Sequence, residues 1–287
     1  MTVYDETKRR AYWTRLLDEG HEFMMRVMKY PVIECGEKPV LLGPVAINAG
    51  VEVAFSTKPH VQGLPRLFVL RQGQIAGFLK AAQEMNKRGW VLKVEDAFRN
   101  RTMQKYIGRT PVVFDAILKK VLWELEGRTP DPTFMFKRVL TLTAQMPKVG
   151  THMSASAIDI SVLDRKTGQE IDRGGPYLEM SELTPMESPF ISATAKRNRE
   201  AIKEIMNDAG FIEYPYEFWH FNSGDAYDHI LRGSDAAAPY GAVDWDQATG
   251  ELQPITEPTQ MLNDLTEIET EIQESLKRIK QNKTDSK

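Results

Sequence analysis

The stretch KVGTHMSASAIDIS, residues 148–161, holds His152 seven positions before Asp159, with only small and apolar residues between them apart from two serines. Farther on, EFWH places Glu217 three residues before His220, and upstream VEDAFRNR contains Arg99. A catalytic zinc takes three protein ligands of the His and carboxylate type and keeps one position open for water. His152, Asp159 and His220 would supply the three. Glu217, close in sequence to the third ligand but not itself one, is placed to take the proton from the water and pass it to the leaving amine. Arg99 is suited to polarise the scissile carbonyl and hold the charge that develops on it. Each residue alone also fits a blander reading: a loop histidine, a solvated strand aspartate, a capping arginine. The set, in this order, argues for one zinc ion per chain and for hydrolysis.

These residues need elements to position them. SAIDISVLD alternates Ile158, Ile160 and Val162 against Ala157, Asp159 and Ser161, the period of two of a strand, so Asp159 faces away from the isoleucines. Trp90 to Val94 reads as a second strand, with Arg99 just past its end, and FIEYPYEFWHFN as a final strand carrying Glu217 and His220. Helical spacing predicts core-facing helices over 70–86, 112–126 and 196–209, the last closed by Gly210. Asp5 to Met28 reads as one or two helices interrupted at Gly20, and 31–68 as edge strands and loops. After Pro254 and Pro258, Leu265, Ile268, Ile272, Leu276 and Ile279 recur at three and four residues, an amphipathic helix that packs on its own domain or on a second subunit. The expected architecture is α+β: a small, mostly antiparallel sheet with flanking helices and the zinc in a cleft on the open sheet face. The expected division is an N-terminal helical or irregular cover (1–60), a peptidase domain (61–240), and a linker with the C-terminal helix (253–287).

At this point the motifs carry a resemblance. GTHMSASAID, DAFR and EFWH resemble the Ser-x-His-x-x-Gly-x-Ala-x-Asp, Asp-x-x-Arg and Glu-x-Trp-His segments of the zinc D-alanyl-D-alanine dipeptidases of the vancomycin-resistance type, in the DD-peptidase/Hedgehog fold group. RNREAIKEIMNDAGFIEYPYEFWHF is similar to that family's helix, Gly-Phe and closing strand, and the likeness runs over roughly residues 65–225. It implies His152, Asp159 and His220 as zinc ligands, Glu217 as base and Arg99 as the transition-state arginine. Thr151, Tyr177 and Glu179 are the candidate substrate-binding residues. Three positions depart from the family. Gly150 replaces its serine, with Thr151 alongside. Ala155 replaces its glycine, which a negative φ would allow. Leu178 stands where the family carries the acid that binds the substrate's free amine, and Glu179 next to it would face the other way on a strand. Longer peptidoglycan stem peptides, cut by a carboxypeptidase or endopeptidase, are therefore the alternative substrates, and a non-catalytic zinc-containing peptide-binding module is a third reading.

Composition narrows the rest. Lys plus Arg total 37 against 40 Asp plus Glu, a net charge of −3 with no basic run, which disfavours nucleic acid as a partner. One cysteine, Cys35, permits no internal disulfide and suits a reducing compartment. It reads as a buried small hydrophobe. No apolar run approaches the roughly 18 residues of a membrane span, and the charged N-terminus has no apolar leader, so the expected setting is cytoplasmic, with no membrane partner. The expected partner is a small peptide substrate, with a homo-oligomer through the C-terminal helix as a further possibility. His21, His60 and His229 read as surface or loop histidines, His229 close in sequence to the site and a candidate for its rim, Trp219 as packing, and GGPY as a turn at the cleft rim.

Overall fold

The computed structural model describes residues 3–285. Nine helices are found among them: α1 (Val3–Lys29), α2 (Leu42–Asn48), α3 (Ile75–Lys87), α4 (Arg101–Ile107), α5 (Pro111–Glu124), α6 (Pro132–Thr143), α7 (Ala193–Asp208), α8 (Ala226–Leu231) and α9 (Leu265–Asp285). The strands are β1 (Pro39–Leu41), β2 (Val53–Phe55), β3 (Val69–Arg71), β4 (Trp90–Asp96), β5 (Ala157–Asp164), β6 (Ile212–Glu213), β7 (His220–Asn222), β8 (Val243–Trp245) and β9 (Leu252–Pro254). The main sheet runs β2-β4-β5-β7-β6 and is antiparallel except at β2–β4. Two-stranded ribbons, β1–β3 and β8–β9, flank it. The architecture is the α+β one that the sequence predicts.

α1 is one continuous helix that buries Trp13, Leu17, Phe23, Met24 and Val27. Gly20 does not interrupt it. A Cβ there would lie 2.5 Å from Thr141 Cγ2 and 3.3 Å from the Tyr216 ring, so the glycine is a notch that lets α6 and the 214–219 turn approach α1. α3 packs against β4 and α7, and α7 against β6. α5, α6 and α9 pack together, with Ile268, Ile272 and Ile279 of α9 buried against this chain's own helices. α6, for which the sequence carries no predicted helix, starts at Pro132 behind an Asp131 N-cap that accepts from Phe134 N at 2.8 Å.

Register matters most for function. β4 and β5 pair in step from Trp90 opposite Asp164 to Val94 opposite Ile160. The register then shifts by one, so that Asp96 rather than Glu95 or Ala97 stands opposite Asp159. On the other side of β5, Asp159 pairs with His220 of β7. An extra residue in a strand re-aims the side chains beyond it. Here it sets Asp96, Asp159 and His220 in one row across three strands.

The expectation of only edge strands and loops over 31–68 misses α2, and the helix expected over 70–86 begins only at Ile75, because Val69–Arg71 pairs with β1 as β3. Two further expectations fail. EFWH is not a strand: residues 215–219 form tight turns, with Glu217 N donating to Tyr214 O and His220 N to Glu217 O, and the strand begins only at His220. The proline and the three aromatics before His220 take loop positions in which Phe218 and Trp219 are both buried. Cys35 is exposed rather than buried, because residues 31–38 run along the surface and not as a core strand.

Candidate metal and catalytic site

His152 lies in a 3-10 turn, Thr151–Ser154, that leads into β5. Its Nδ1 is held by the carbonyl of Ala97. A carbonyl only accepts, so Nδ1 carries the proton and Nε2 presents its lone pair to Asp159 Oδ1, 3.3 Å away. His220 Nε2 sits 3.1 Å from Asn222 Oδ1 and 3.1 Å from Thr151 Oγ1, which places its proton on Nε2 and leaves Nδ1 facing Asp159 Oδ1 at 2.8 Å. Asp159 Oδ2 is engaged elsewhere: Tyr177 Oη donates to it at 2.9 Å and Arg99 Nη2 at 3.3 Å. One ligand atom from each of His152, Asp159 and His220 therefore falls within 4.8 Å of the others, with all three residues buried. Two imidazole lone pairs and a carboxylate oxygen turned on one point repel one another unless a cation lies between them. The donor set, nitrogen, nitrogen and oxygen, fits zinc chemistry.

The electrostatics follow from the burial. Burial opposes ionisation of Asp159, yet the facing His152 and His220 outweigh it and hold the carboxyl well below its ordinary value. Burial, followed by Arg99, lowers His152. His220 is also buried, but in the metal-free protein the facing Asp159 carboxylate raises it, through the hydrogen bond and charge contact that a second proton, on Nδ1, would make. Glu217 is 7% exposed, and burial pushes its carboxyl up to about 8, with Asp159 adding to the rise; His220, Arg99 and a hydrogen bond from the Trp219 side chain pull the other way. A buried carboxyl that takes and returns a proton near neutral pH is what general acid–base chemistry requires.

Arg99 is fixed by Asp96, to which its Nε donates at 2.7 Å, while Nη1 reaches Gln104 Oε1 at 3.4 Å. Burial disfavours its charge, but Asp96, Tyr177 and Asp159 more than compensate and keep it protonated. Asp96 also faces His60 Nε2 at 3.1 Å, and the same nitrogen lies 3.1 Å from Tyr177 Oη. His60 is thus half-buried with its ring in the site's network rather than a surface histidine. Its sequence surroundings, TKPHVQG, gave no periodic signal by which to find it. Asp96 is the first residue of DAFR, and its role as the anchor of Arg99 comes from the fold.

These residues open on a narrow cleft, lined by Arg99, His152, Asp159, Glu217 and His220 and, among apolar side chains, by Ile107, Val113, Leu142, Leu178 and Met180. Its walls come from α4, α5, α6 and the segment after β5. Thr151 lines it; Tyr177 reaches it through Asp159; Glu179 does not line it, and its side chain folds back over Gly175. Residues 174–179 are bends and turns, so strand alternation does not apply to Glu179. Ala155 has φ +52°, not negative, and Leu178 has φ +65°. Both are left-handed, a conformation that costs a residue with a Cβ about 1–2 kcal/mol. His229 bonds to Ala236 O at 3.0 Å and lies outside the cleft lining. Trp219 packs edge-on against Tyr177.

The family model for D-Ala-D-Ala dipeptidase, of the M15 peptidases, matches residues 57–235, more than half of the chain. This protein belongs to that family. Among curated relatives, the D-alanyl-D-alanine dipeptidase of Synechocystis is 28% identical over 249 residues, 75% of this chain and 95% of the relative. The D-alanyl-D-alanine dipeptidase of Escherichia coli K12 is 27% identical over 164 residues, 57% of this chain and 70% of that one. Among solved structures, an LD-carboxypeptidase overlaps 72% of this chain and 77% of its own at a TM-score of 0.36 and 16% identity, too loose to bear on function. As an M15 family member the protein is a metallopeptidase, and its buried His-Asp-His group is placed to bind the metal. No helix among the described residues is long and apolar enough to cross a membrane.

Proposed function

We propose that the protein hydrolyses D-Ala-D-Ala, or a related peptide containing D-Ala, with one zinc ion held by His152, Asp159 and His220 and with Glu217 as the general base. The observation that carries this reading is the convergence of two imidazole lone pairs on Asp159 Oδ1, in the same cleft as a carboxyl raised to about 8. When bound, zinc supplies a Lewis acid that polarises the scissile carbonyl and makes water easier to deprotonate. Glu217 takes the proton of the attacking water and returns it to the leaving amine nitrogen. Arg99, anchored through Nε on Asp96, turns its remaining N–H groups toward the carbonyl oxygen as negative charge develops there. Tyr177, which burial and the facing carboxylates keep protonated, donates to Asp159 Oδ2 and leaves Oδ1 for the metal. The single cysteine supports a cytoplasmic setting. The burial of the apolar stripe of α9 within its own chain supports a catalytic unit complete in one copy, so a homo-oligomer through that helix would have to use its outer face.

A second reading of the substrate rests on the cleft lining. Among the described residues that line it, Asp159 and Glu217 are the only carboxylates, and Leu178 occupies the wall. An ammonium buried there would lack a partner and cost several kcal/mol, which favours a peptide acylated at that nitrogen, as in a longer stem. The deciding experiment measures metal content and amine release from D-Ala-D-Ala, from its N-acyl form and from a muropeptide stem, with Glu217→Ala as control. Zinc near one per chain with cleavage that Glu217→Ala abolishes supports the reading. Retained turnover in Glu217→Ala, or peptide binding without products at full zinc load, overturns it. Cleavage of only the longer peptides assigns the acylated substrate.

A further inference from the structure

Glu217 stands on a tight turn, not on a regular element, so something else must hold it. The next residue, Phe218, is fully buried between two guanidinium groups. The Arg199 carbon lies 4.0 Å from the ring centroid and the Arg173 carbon 4.8 Å. Arg199 projects from α7 and is itself buried. Its hydrogen bonds go to four main-chain carbonyls and to no carboxylate: Nε to Arg173 O at 2.6 Å, Nη1 to Pro185 O at 2.6 Å and Met186 O at 3.3 Å, and Nη2 to Leu183 O at 2.8 Å. All four carbonyls belong to the segment 173–186, which contains neither helix nor strand and carries Tyr177, Leu178 and Met180 into the site. The same segment is tied to the Glu217 turn by Phe218 N to Thr184 O at 3.1 Å and Met186 N to Pro215 O at 3.0 Å. Arg173 completes the clamp on the sheet side, donating to Ile160 O at 2.7 Å and Ser161 Oγ at 2.9 Å, on the strand that carries Asp159.

Two buried cations on one ring, with a single carboxylate, Glu170, on Arg173 between them, are an expensive way to fill a core. Leucine would pack as well on Phe218. What a guanidinium adds is a planar fork of donors that fixes several carbonyls while its face stacks on an aromatic ring.

We propose that Arg199 is a positioning residue for the hydrolysis: it locks the turn bearing Glu217 to the rim segment, so that the base is held in reach of the attacking water without touching substrate itself. This rests on Glu217 being the base, as proposed above. The test compares Arg199→Lys, Arg199→Ala and Phe218→Leu with Glu217→Gln in the zinc-loaded enzyme, well below each variant's unfolding midpoint. The readouts are kcat, KM, zinc content and unfolding temperature. Arg199→Lys should lose at least about tenfold in kcat with KM within about threefold and zinc content unchanged, because a lysine keeps the charge but not the fork. Phe218→Leu should lose kcat in the same sense by a smaller factor, and added guanidinium should restore part of the kcat of Arg199→Ala. If Arg199→Ala does not fold, the lysine and Phe218 variants decide. A lower unfolding temperature with unchanged kcat in Arg199→Lys and Phe218→Leu, while Glu217→Gln is inactive, overturns this inference alone. Activity retained by Glu217→Gln overturns the assignment of the base on which it rests.

Discussion

The hydroxyl of Tyr177 donates to Asp159 Oδ2 at 2.9 Å, the oxygen opposite the one that faces both histidines. A ligand carboxylate with one oxygen pinned by a phenol and a guanidinium has one left for a metal, and its orientation is set before the metal arrives. Partners behind the ligands typically contribute 10- to 100-fold in metal affinity. Tyr177→Phe should therefore weaken zinc binding by about that factor with little change in unfolding temperature of the metal-free protein, measured by chelator competition. Unchanged affinity would show that Arg99 alone orients Asp159.

Glu217→Gln should keep zinc and lose at least about a hundredfold in kcat. It also has a stability signature in the metal-free protein. Its ordinary value of 4.5 rises to about 8 on folding, so between those limits the folded state holds a proton that the unfolded chain has released. A carboxyl shifted in this direction stabilises fully below about 4.5, and that stability is lost as pH rises through about 8. Urea unfolding of the chelated wild type should thus weaken from about pH 5 to about pH 8.5 more than that of Glu217→Gln. Parallel pH dependence of the two proteins would place the carboxyl in ordinary solvation.

Arg99→Lys retains charge but loses the fork that bonds Asp96, Asp159 and Gln104 together. A loss of about 10²–10³ in kcat is expected, the scale of removing one oxyanion donor, and steady-state kinetics with zinc saturating checks it. A change confined to KM would assign Arg99 to ground-state binding.

Ala155 is fully buried with φ +52°. At an ordinary buried site, Ala→Gly destabilises; here relief of the left-handed strain offsets the added chain entropy. Ala155→Gly should fall within about 1 kcal/mol of wild type, whereas Ala155→Val, β-branched and left-handed, should lose more than about 2 kcal/mol. Thermal unfolding decides, and equal losses in both would refute the backbone argument.

Leu178 is likewise left-handed and lines the cleft. Asp tolerates that conformation better than Leu and would add a carboxylate to a wall that has none. Leu178→Asp should raise the ratio of free to N-acylated D-Ala-D-Ala turnover, and competition between the two substrates measures it. An unchanged ratio would place the amine elsewhere.

The sequence by itself marked the residues proposed to carry the chemistry and the local elements beside them. His152, Asp159, Glu217, His220 and Arg99 are marked by residue type and spacing, the alternation of 157–162 fixes which face of β5 bears Asp159, and the end of the strand at Trp90 to Val94 puts Arg99 in a loop. Those signals are local, set by a strand's period of two or a few residues of motif. What joins the residues is not local. The one-residue shift in β4 that brings Asp96 opposite Asp159 depends on pairing between strands about 60 residues apart, and no period in either strand announces it. His60 has no element of its own and enters the site because the chain before β3 folds back onto Asp96. The segment 173–186 has no periodicity to read; its path is decided by Arg199, whose four carbonyl partners lie 13 to 26 residues away. Left-handed backbone at Ala155 and Leu178 runs against what either residue prefers alone, so only packing in the finished fold could impose it.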